Sequence, residues 1–216
     1  MRTKNTTQEI FPRANTIVCM EDSKLLRQPQ YELLYSVEGL DAALHELNSM
    51  NYFRTYKSAQ PDNYSELFDS LVYDTLGLLY EITPTNTLWR MFALYYDIHN
   101  MKLVVKERHL GRDLEELALR GGSYSFITIR SAAVRATDNV LKNDTLTEGF
   151  HAALYPKRAT VDSILERTYF TALSEFSEQL KSPLITEFVL DRIDLHNISA
   201  FLQAQANDTP LYFEMA

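Results

Sequence analysis

Apolar side chains recur every three or four residues along most of the chain, which is the period of an amphipathic α-helix. Between residues 31 and 47, for example, Leu33, Val37, Leu40 and Leu44 keep this spacing, with Gly39 as a candidate break. Turn residues are scarce, since the 216 residues include six glycines and seven prolines. The pattern predicts an all-α fold with helices over residues 31–47, 64–82, 87–105, 131–141, 160–182 and 184–203.

A short polar pattern occurs twice. Asp97-Ile98-His99-Asn100 and Asp194-Leu195-His196-Asn197 share the order Asp-x-His-Asn at an offset of 97 residues. The apolar positions repeat at the same offset, where Ile98, Met101, Val104 and Val105 align with Leu195, Ile198, Phe201 and Leu202. Because the polar motif and the apolar stripe repeat together, the sequence predicts one helical unit used twice, with each motif at the edge of a buried helix face.

The repeat suggests a division of the chain into five segments. Residues 1–13 are polar and lack periodicity, which predicts a disordered N-terminus before a first helix near Ala14. We interpret 14–111 as the first helical repeat, 112–159 as a linker or helical connection, 160–205 as a partial second repeat and 206–216 as an irregular tail. Residues 51–63, around Pro61, are predicted to form a loop, and Gly121-Gly122 is a candidate hinge.

One chemical interpretation of the motif is a metal site or a general base. Aspartate and histidine are common metal ligands and proton carriers, which makes Asp97, His99, Asp194 and His196 candidates. On a helix, however, residues i and i+2 point about 200° apart, so one copy cannot direct both of its side chains to one ion. Such a site requires side chains from both copies to meet.

The interpretation that we favour is structural. Asp97 and Asn100 share a helix side, where they are expected to hydrogen-bond each other or free backbone donors, or Asp97 caps a helix start. Asp194 and Asn197 have the same role in the second copy, and His99 and His196 are core or interface residues. The chain contains no Gly-rich phosphate loop, no Cys/His metal spacing and no Gly-x-Ser-x-Gly elbow, so we predict no catalytic, metal or cofactor-binding residue and no cofactor.

Charge and cysteine content narrow the choice of partners. The net charge of −8 argues against a nucleic-acid or anionic-membrane binder, because both surfaces are themselves negative. Cys19 is the only cysteine and has no partner for an internal disulfide, which favours a reducing, cytoplasmic compartment. No apolar stretch approaches the ~18 residues of a spanning helix, and the first residues are unlike a signal peptide, so no direct membrane span is predicted.

The motif also carries a family resemblance. The segment Tyr96-Asp97-Ile98-His99-Asn100-Met101-Lys102 resembles a heptapeptide of the C subunit, also called the d subunit, of V-type and archaeal-type rotary ATPases. The opening from Ala14-Asn15 to Leu25-Leu26 and the later segment Ile193–Asn197, preceded by Glu166-Arg167-x-Tyr169, are similar to that family as well. The resemblance covers residues 14–203.

This resemblance implies a funnel of helical repeats without its own active site, peripheral at the cytoplasmic side of a membrane. Its partners would be the central-stalk subunits and the membrane proteolipid ring, with no nucleic acid and no small-molecule substrate. The resemblance implies three such repeats in a family member, whereas this chain contains two and a short tail. The chain is therefore expected to be a fragment or a shortened member of the family. Two alternative functions remain open: a metal-dependent helical enzyme using both Asp-x-His pairs, and a helical adaptor with other partners.

Overall fold

The computed structural model describes residues 6–50, 64–135, 140–157 and 159–207, with side chains described from residue 12 to residue 205 of these ranges. Within them all regular structure is helical, which confirms the predicted all-α class. The helices are α1 Thr6–Lys24, α2 Gln28–Ser36, α3 Leu40–Ser49, α4 Tyr64–Ile82, α5 Asn86–Leu110, α6 Phe126–Val134, α7 Asp144–Leu154, α8 Val161–Leu180 and α9 Pro183–Asn207, with a 3-10 turn at Glu115–Leu117. Across the described ranges, no helix combines the length and apolar content that crossing a bilayer requires.

The chain divides into two compact units after Pro84. In the first unit, α2 packs against α3 and α1 contacts α4. Its apolar core joins Leu44, Leu47 and Met50 at the end of α3 to Leu67 and Leu71 on α4. Gly39 separates α2 from α3 and has a φ of +86°, a conformation that residues with a Cβ rarely adopt. The break expected at Gly39 is therefore confirmed.

The second unit is built around α5 and α8, which form its most extensive helix pair, and α7 packs along α8 as well. Side-chain caps begin three of its helices: Ser125, Asn143 and Thr160 each accept a backbone N–H of the first turn. The core lies between α5, α6, α7 and α8, and α9 adds Val189 and Ile193 through its contact with α8.

Several helix positions differ from the sequence prediction. The helix α1 begins at Thr6, eight residues before the start predicted near Ala14, so residues 6–13, predicted to be disordered, are helical, with Pro12 inside the helix. The helix predicted over 131–141 is wrong in position: α6 ends at Val134, and Leu141 is fully buried outside any helix. Residues 51–63 and 208–216, predicted as a loop and as part of the tail, lie outside the described residues.

The helix bounds follow the 97-residue offset closely. The helices α5 and α9 each have 25 residues, and they begin at Asn86 and Pro183, which are one offset apart. The first residues of α4 and α8, Tyr64 and Val161, are separated by the same offset. The two copies of the motif thus occupy the same position on two helices of equal length.

Candidate functional site

The first copy of the motif lies in the middle of α5 and holds the chain segment between α5 and α6. Asp97 is 1% exposed and Asn100 is 2% exposed. An Asp97 carboxylate oxygen accepts the backbone N–H of Tyr124 at 3.1 Å. The Asn100 amide makes two hydrogen bonds to the backbone of Leu119, donating to its carbonyl and accepting from its N–H, both at 3.0 Å. The expectation that Asp97 caps a helix start is wrong, because a residue at mid-helix has no free first-turn donors beside it.

Glycine is required where this segment passes Asp97. A Cβ on Gly122 would overlap the Asp97 Oδ1 atom and lie 3.3 Å from the Asp97 Cγ atom. Gly121, next to it, has a φ of +110°, which favours glycine. The Gly121-Gly122 pair, expected as a hinge, therefore allows a close backbone approach, and the division between units lies elsewhere, after Pro84.

The surroundings of Asp97 shift the pKa of its carboxyl group. Burial raises the pKa of the Asp97 carboxyl to about 7, while hydrogen bonds from Tyr124 and Ser123 and the charge of Arg90 act in the opposite direction. Arg90 also donates to the Tyr124 hydroxyl at 2.9 Å, and that hydroxyl donates to the carbonyl of Leu141. Asp97 is thus part of a polar network that joins α5 to the chain on both sides of α6.

A second polar cluster fixes the beginning of the same segment. Arg130 on α6 forms ion pairs with Glu107 at 2.5 Å, Asp113 at 2.5 Å and Glu115 at 2.7 Å. Glu107 also accepts the backbone N–H of Leu114 at 2.6 Å. The hydrogen bond from Arg130 lowers the pKa of Glu107. Sequence reasoning missed this cluster, because Glu107 and Arg130 are far apart in the chain and share no motif.

Lys102, the last residue of the heptapeptide, connects α5 to α8. Its ammonium group lies 2.9 Å from the Asp162 carboxylate and 3.7 Å from that of Glu166. The residues of the heptapeptide therefore contact both the α5–α6 segment and α8, the principal neighbour of α5.

The second copy of the motif has different surroundings. Asp194 is exposed, and His196 is half-buried with its ring 4.7 Å from the ring of Phe170. The apolar residues Leu195, Ile198 and Leu202 are mostly exposed. The apolar stripe that the sequence predicts to be buried in both copies is exposed in this one within the described residues, because α9 packs against α8 through its opposite side, where Val189 and Ile193 are buried. His196 lies at the edge of that buried side.

The metal interpretation finds no support in the geometry of the first copy. The Asp97 carboxylate is buried and already accepts backbone donors. In the part of the chain that the structure describes, no group of three or more His, Cys, Asp or Glu side chains could hold a metal ion. A structural role for all six motif residues stays a prediction.

Substituting Asn100 by alanine tests that role. The change would remove both hydrogen bonds of the buried Asn100 and leave the N–H and C=O groups of the half-buried Leu119 without these partners, and we expect the free energy of unfolding to fall by about 2 kcal/mol. Urea denaturation followed by the fluorescence of Trp89, on α5, measures it. Asn86→Ala makes the same change at an exposed position of α5 and is expected to cost under about 0.5 kcal/mol. Equal losses in both variants would contradict the prediction.

Comparison with known proteins covers nearly the whole chain. The family model described as ATP synthase (C/AC39) subunit matches residues 14–215. The C subunit of the V-type sodium ATPase of Enterococcus hirae is 21% identical over 197 residues, which cover 88% of this chain and 59% of that protein. The C subunit of the A-type ATP synthase of Methanocaldococcus jannaschii is 23% identical over 192 residues, covering 82% of this chain and 47% of that protein. The chain therefore spans about three-fifths and about half of the length of these two relatives.

Proposed function

The chain belongs to the ATP synthase (C/AC39) subunit family, and from that premise we propose that it is the non-catalytic C subunit of a rotary V/A-type ATPase. In this role it couples the central stalk to the membrane proteolipid ring during ATP-driven proton or sodium transport, or during ATP synthesis. It would be peripheral at the cytoplasmic side of the membrane and would bind no cofactor, nucleic acid or small-molecule substrate. The observation that carries the proposal is the family match over residues 14–215.

The second unit has properties suited to transmitting force. A protein that couples two partners must resist deformation between them, which requires closely packed helices and not a substrate pocket. The buried hydrogen bonds of Asp97 and Asn100 and the ion pairs of Arg130 connect α5, α6 and the segment between them. Such satisfied polar networks specify a single packing arrangement. These contacts support the proposal without identifying the partners.

Affinity purification tests the proposal and separates it from the two alternatives. The tagged chain is expressed in its own cells, membranes are solubilised in a gentle detergent, and co-purifying proteins and metals are identified. We expect the proteolipid ring and the central-stalk subunits at constant ratios to the tagged chain, and neither of them from untagged cells.

Two results would overturn the proposal. A chain that purifies alone with a stoichiometric metal ion would favour the metal-dependent enzyme. A chain that purifies with unrelated proteins and no other part of an ATPase would favour the helical adaptor.

A further inference from the structure

The residues that join the 3-10 turn to α6 are held in place by side chains and not by backbone pairing. We call residues 119–124, with the sequence Leu-Arg-Gly-Gly-Ser-Tyr, the strap. Within the part of the chain that the structure describes, no backbone–backbone hydrogen bond includes a residue of the strap. The position of the strap therefore depends on the side chains that bind it.

The side chains that bind the strap come mainly from α5. Asn100 makes hydrogen bonds to both backbone groups of Leu119, and Asp97 accepts the backbone N–H of Tyr124. Arg90 donates to the Tyr124 hydroxyl at 2.9 Å. The first and the last residue of the strap are therefore tied to the same helix.

Opening the strap would disturb much less of the molecule than unfolding the second unit. Every strap residue is exposed or half-buried, so opening would expose little apolar surface. The pair Gly121-Gly122 would gain more backbone entropy on release than residues with a Cβ would. The contact between α5 and α8, the most extensive of the unit, would stay in place. A segment with these properties opens locally, at a lower free energy than global unfolding.

Asp97 links this opening to pH. In the closed strap the carboxyl lies against Gly122, and burial raises its pKa from 3.8 to about 7. In the open strap water reaches the carboxyl, so its pKa returns toward 3.8. Below pH 3.8 the carboxyl is protonated in both states and the closed strap is fully stable; that stability falls as the pH rises to about 7.

The groups that face the Asp97 carboxyl are Arg90 on α5 and Ser123 and Tyr124 of the strap. His99, two residues along α5, points about 200° away from Asp97. His151 of α7 lies one turn before Tyr155, which binds Arg108, eleven residues beyond Asp97. The charged residues of α6 and α8 that are not exposed bind other groups: Arg130 binds Glu107, Glu166 lies near Lys102, and Glu175 accepts the Thr145 hydroxyl.

We propose that the strap opens from α5 as one unit while the helices of the second unit stay folded, and that a rise in pH toward neutrality favours the open strap through Asp97. Asn100 and Asp97 are then the two anchors of a conformational device built into the first copy of the motif. The inference rests on contacts within the second unit and does not depend on the proposed function.

Hydrogen exchange of backbone amides, resolved by NMR on the purified 216-residue chain, tests the proposal. The N–H groups of Leu119 and Tyr124 are the reporters, because Asn100 and Asp97 accept them. We expect both to be at least about tenfold less protected than the N–H of Val104, which is buried on α5. Low urea concentrations are expected to reduce the protection of Val104 but not that of the reporters, because opening the strap exposes little surface.

The same experiment at two pH values tests the role of Asp97. Protection factors are corrected for the intrinsic pH dependence of exchange, so they report the opening itself. Between pH 5 and pH 7.5 we expect the protection factors of Leu119 and Tyr124 to fall at least about tenfold. Asp97→Asn keeps an acceptor for the Tyr124 N–H without the charge, and this fall is expected to be absent in the variant.

Substituting Asn100 by alanine tests whether the strap is a single unit. The change removes the partner of Leu119, and we expect the protection of Tyr124, which Asn100 does not bind, to fall at least about tenfold as well. Asn197→Ala makes the same change at the corresponding position of α9 and is expected to leave both reporters unchanged.

Three results would overturn the proposal. Reporters with the same protection and urea dependence as Val104 would mean that the strap opens only when the whole unit unfolds. A loss of protection at Leu119 alone in Asn100→Ala would mean that the two ends open separately. Protection factors that do not change with pH in the unmodified chain would remove Asp97 as the control. None of these results bears on co-purification with the rest of an ATPase, so the proposed function stands or fails separately.

Discussion

Replacing Gly149 by alanine is expected to lower the free energy of unfolding by about 3 kcal/mol, at the upper end of overpacking effects. Gly149 lies on α7 where this helix meets α8, and a Cβ there would overlap the Thr168 Oγ1 atom and lie 2.7 Å from its Cβ. Thr168 is buried and donates to the Ile164 carbonyl at 2.8 Å, so it cannot turn away without losing that bond. The helices must therefore separate, which opens the core between them. Urea denaturation followed by Trp89 fluorescence measures the loss.

Two further variants show whether the clash is the cause. Glu148→Ala changes the exposed neighbour on α7 and is expected to stay within about 0.5 kcal/mol of the unmodified chain. Thr168→Ala removes two of the three atoms that the new Cβ would meet, so the double variant is expected to lose less than the sum of the two single losses. Strictly additive losses would show that Gly149 matters for another reason, such as the flexibility of α7.

The helices with a complete apolar period were predictable from the sequence. The segment 64–82 was predicted as a helix and is α4, and the segments expected from 87, 160 and 184 are α5, α8 and α9, with ends that differ by one to five residues. In each, an apolar stripe and an explicit end signal act together, such as the cap at Thr160 or the proline at Pro183. Local periodicity and capping are therefore enough to predict a helix from the sequence where its buried face is continuous along its length.

The errors arose where burial and helical structure do not coincide. Leu141 contributes to the core from a turn, and its spacing from the α6 residues imitated a helical period. Residues 6–13 lie at the beginning of α1, and their sequence has no apolar period that would predict a helix. The exposed side of the second copy was missed for a related reason: an apolar stripe indicates a face suited to burial but does not say whether this chain itself supplies the cover.

The sequence predicted that Asp97 and Asn100 bind backbone groups, but it did not predict which residues supply those groups. Asp97 and Asn100 were expected to bind backbone groups, and they do, but Leu119 and Tyr124 lie 19 residues from Asn100 and 27 residues from Asp97. Contacts over that distance depend on how the segment after α5 folds back. Gly121-Gly122 was the available signal: a glycine pair opposite a buried carboxylate indicates a close backbone approach. Only the fold shows which carboxylate it approaches.

The stability of the chain is expected to depend on pH through Asp97, and Asp97→Asn should remove that dependence. Burial raises the pKa of Asp97 from 3.8 to about 7, so below 3.8 the carboxyl is protonated in both the folded and the unfolded chain and has no effect. Between about pH 4 and pH 7 the Asp97 carboxyl is ionised in the unfolded chain but still protonated in the folded chain, so the free energy of unfolding falls as the pH rises. Above about pH 7 the carboxyl is ionised in both states, and the free energy of unfolding falls no further through this group. Three pKa units correspond to about 4 kcal/mol.

The quantity to measure is the free energy of unfolding of Asp97→Asn minus that of the unmodified chain, from urea denaturation at a series of pH values. We expect this difference to rise by about 4 kcal/mol in favour of the variant between about pH 4 and pH 7.5, because asparagine keeps an oxygen for the Tyr124 N–H but carries no charge to bury. Asp194→Asn changes the exposed counterpart in the second copy and is expected to shift stability by less than about 0.5 kcal/mol. A difference that does not change with pH would mean that Asp97 keeps its charge at little cost in the folded chain. The network of Tyr124, Ser123 and Arg90 would then offset its burial fully.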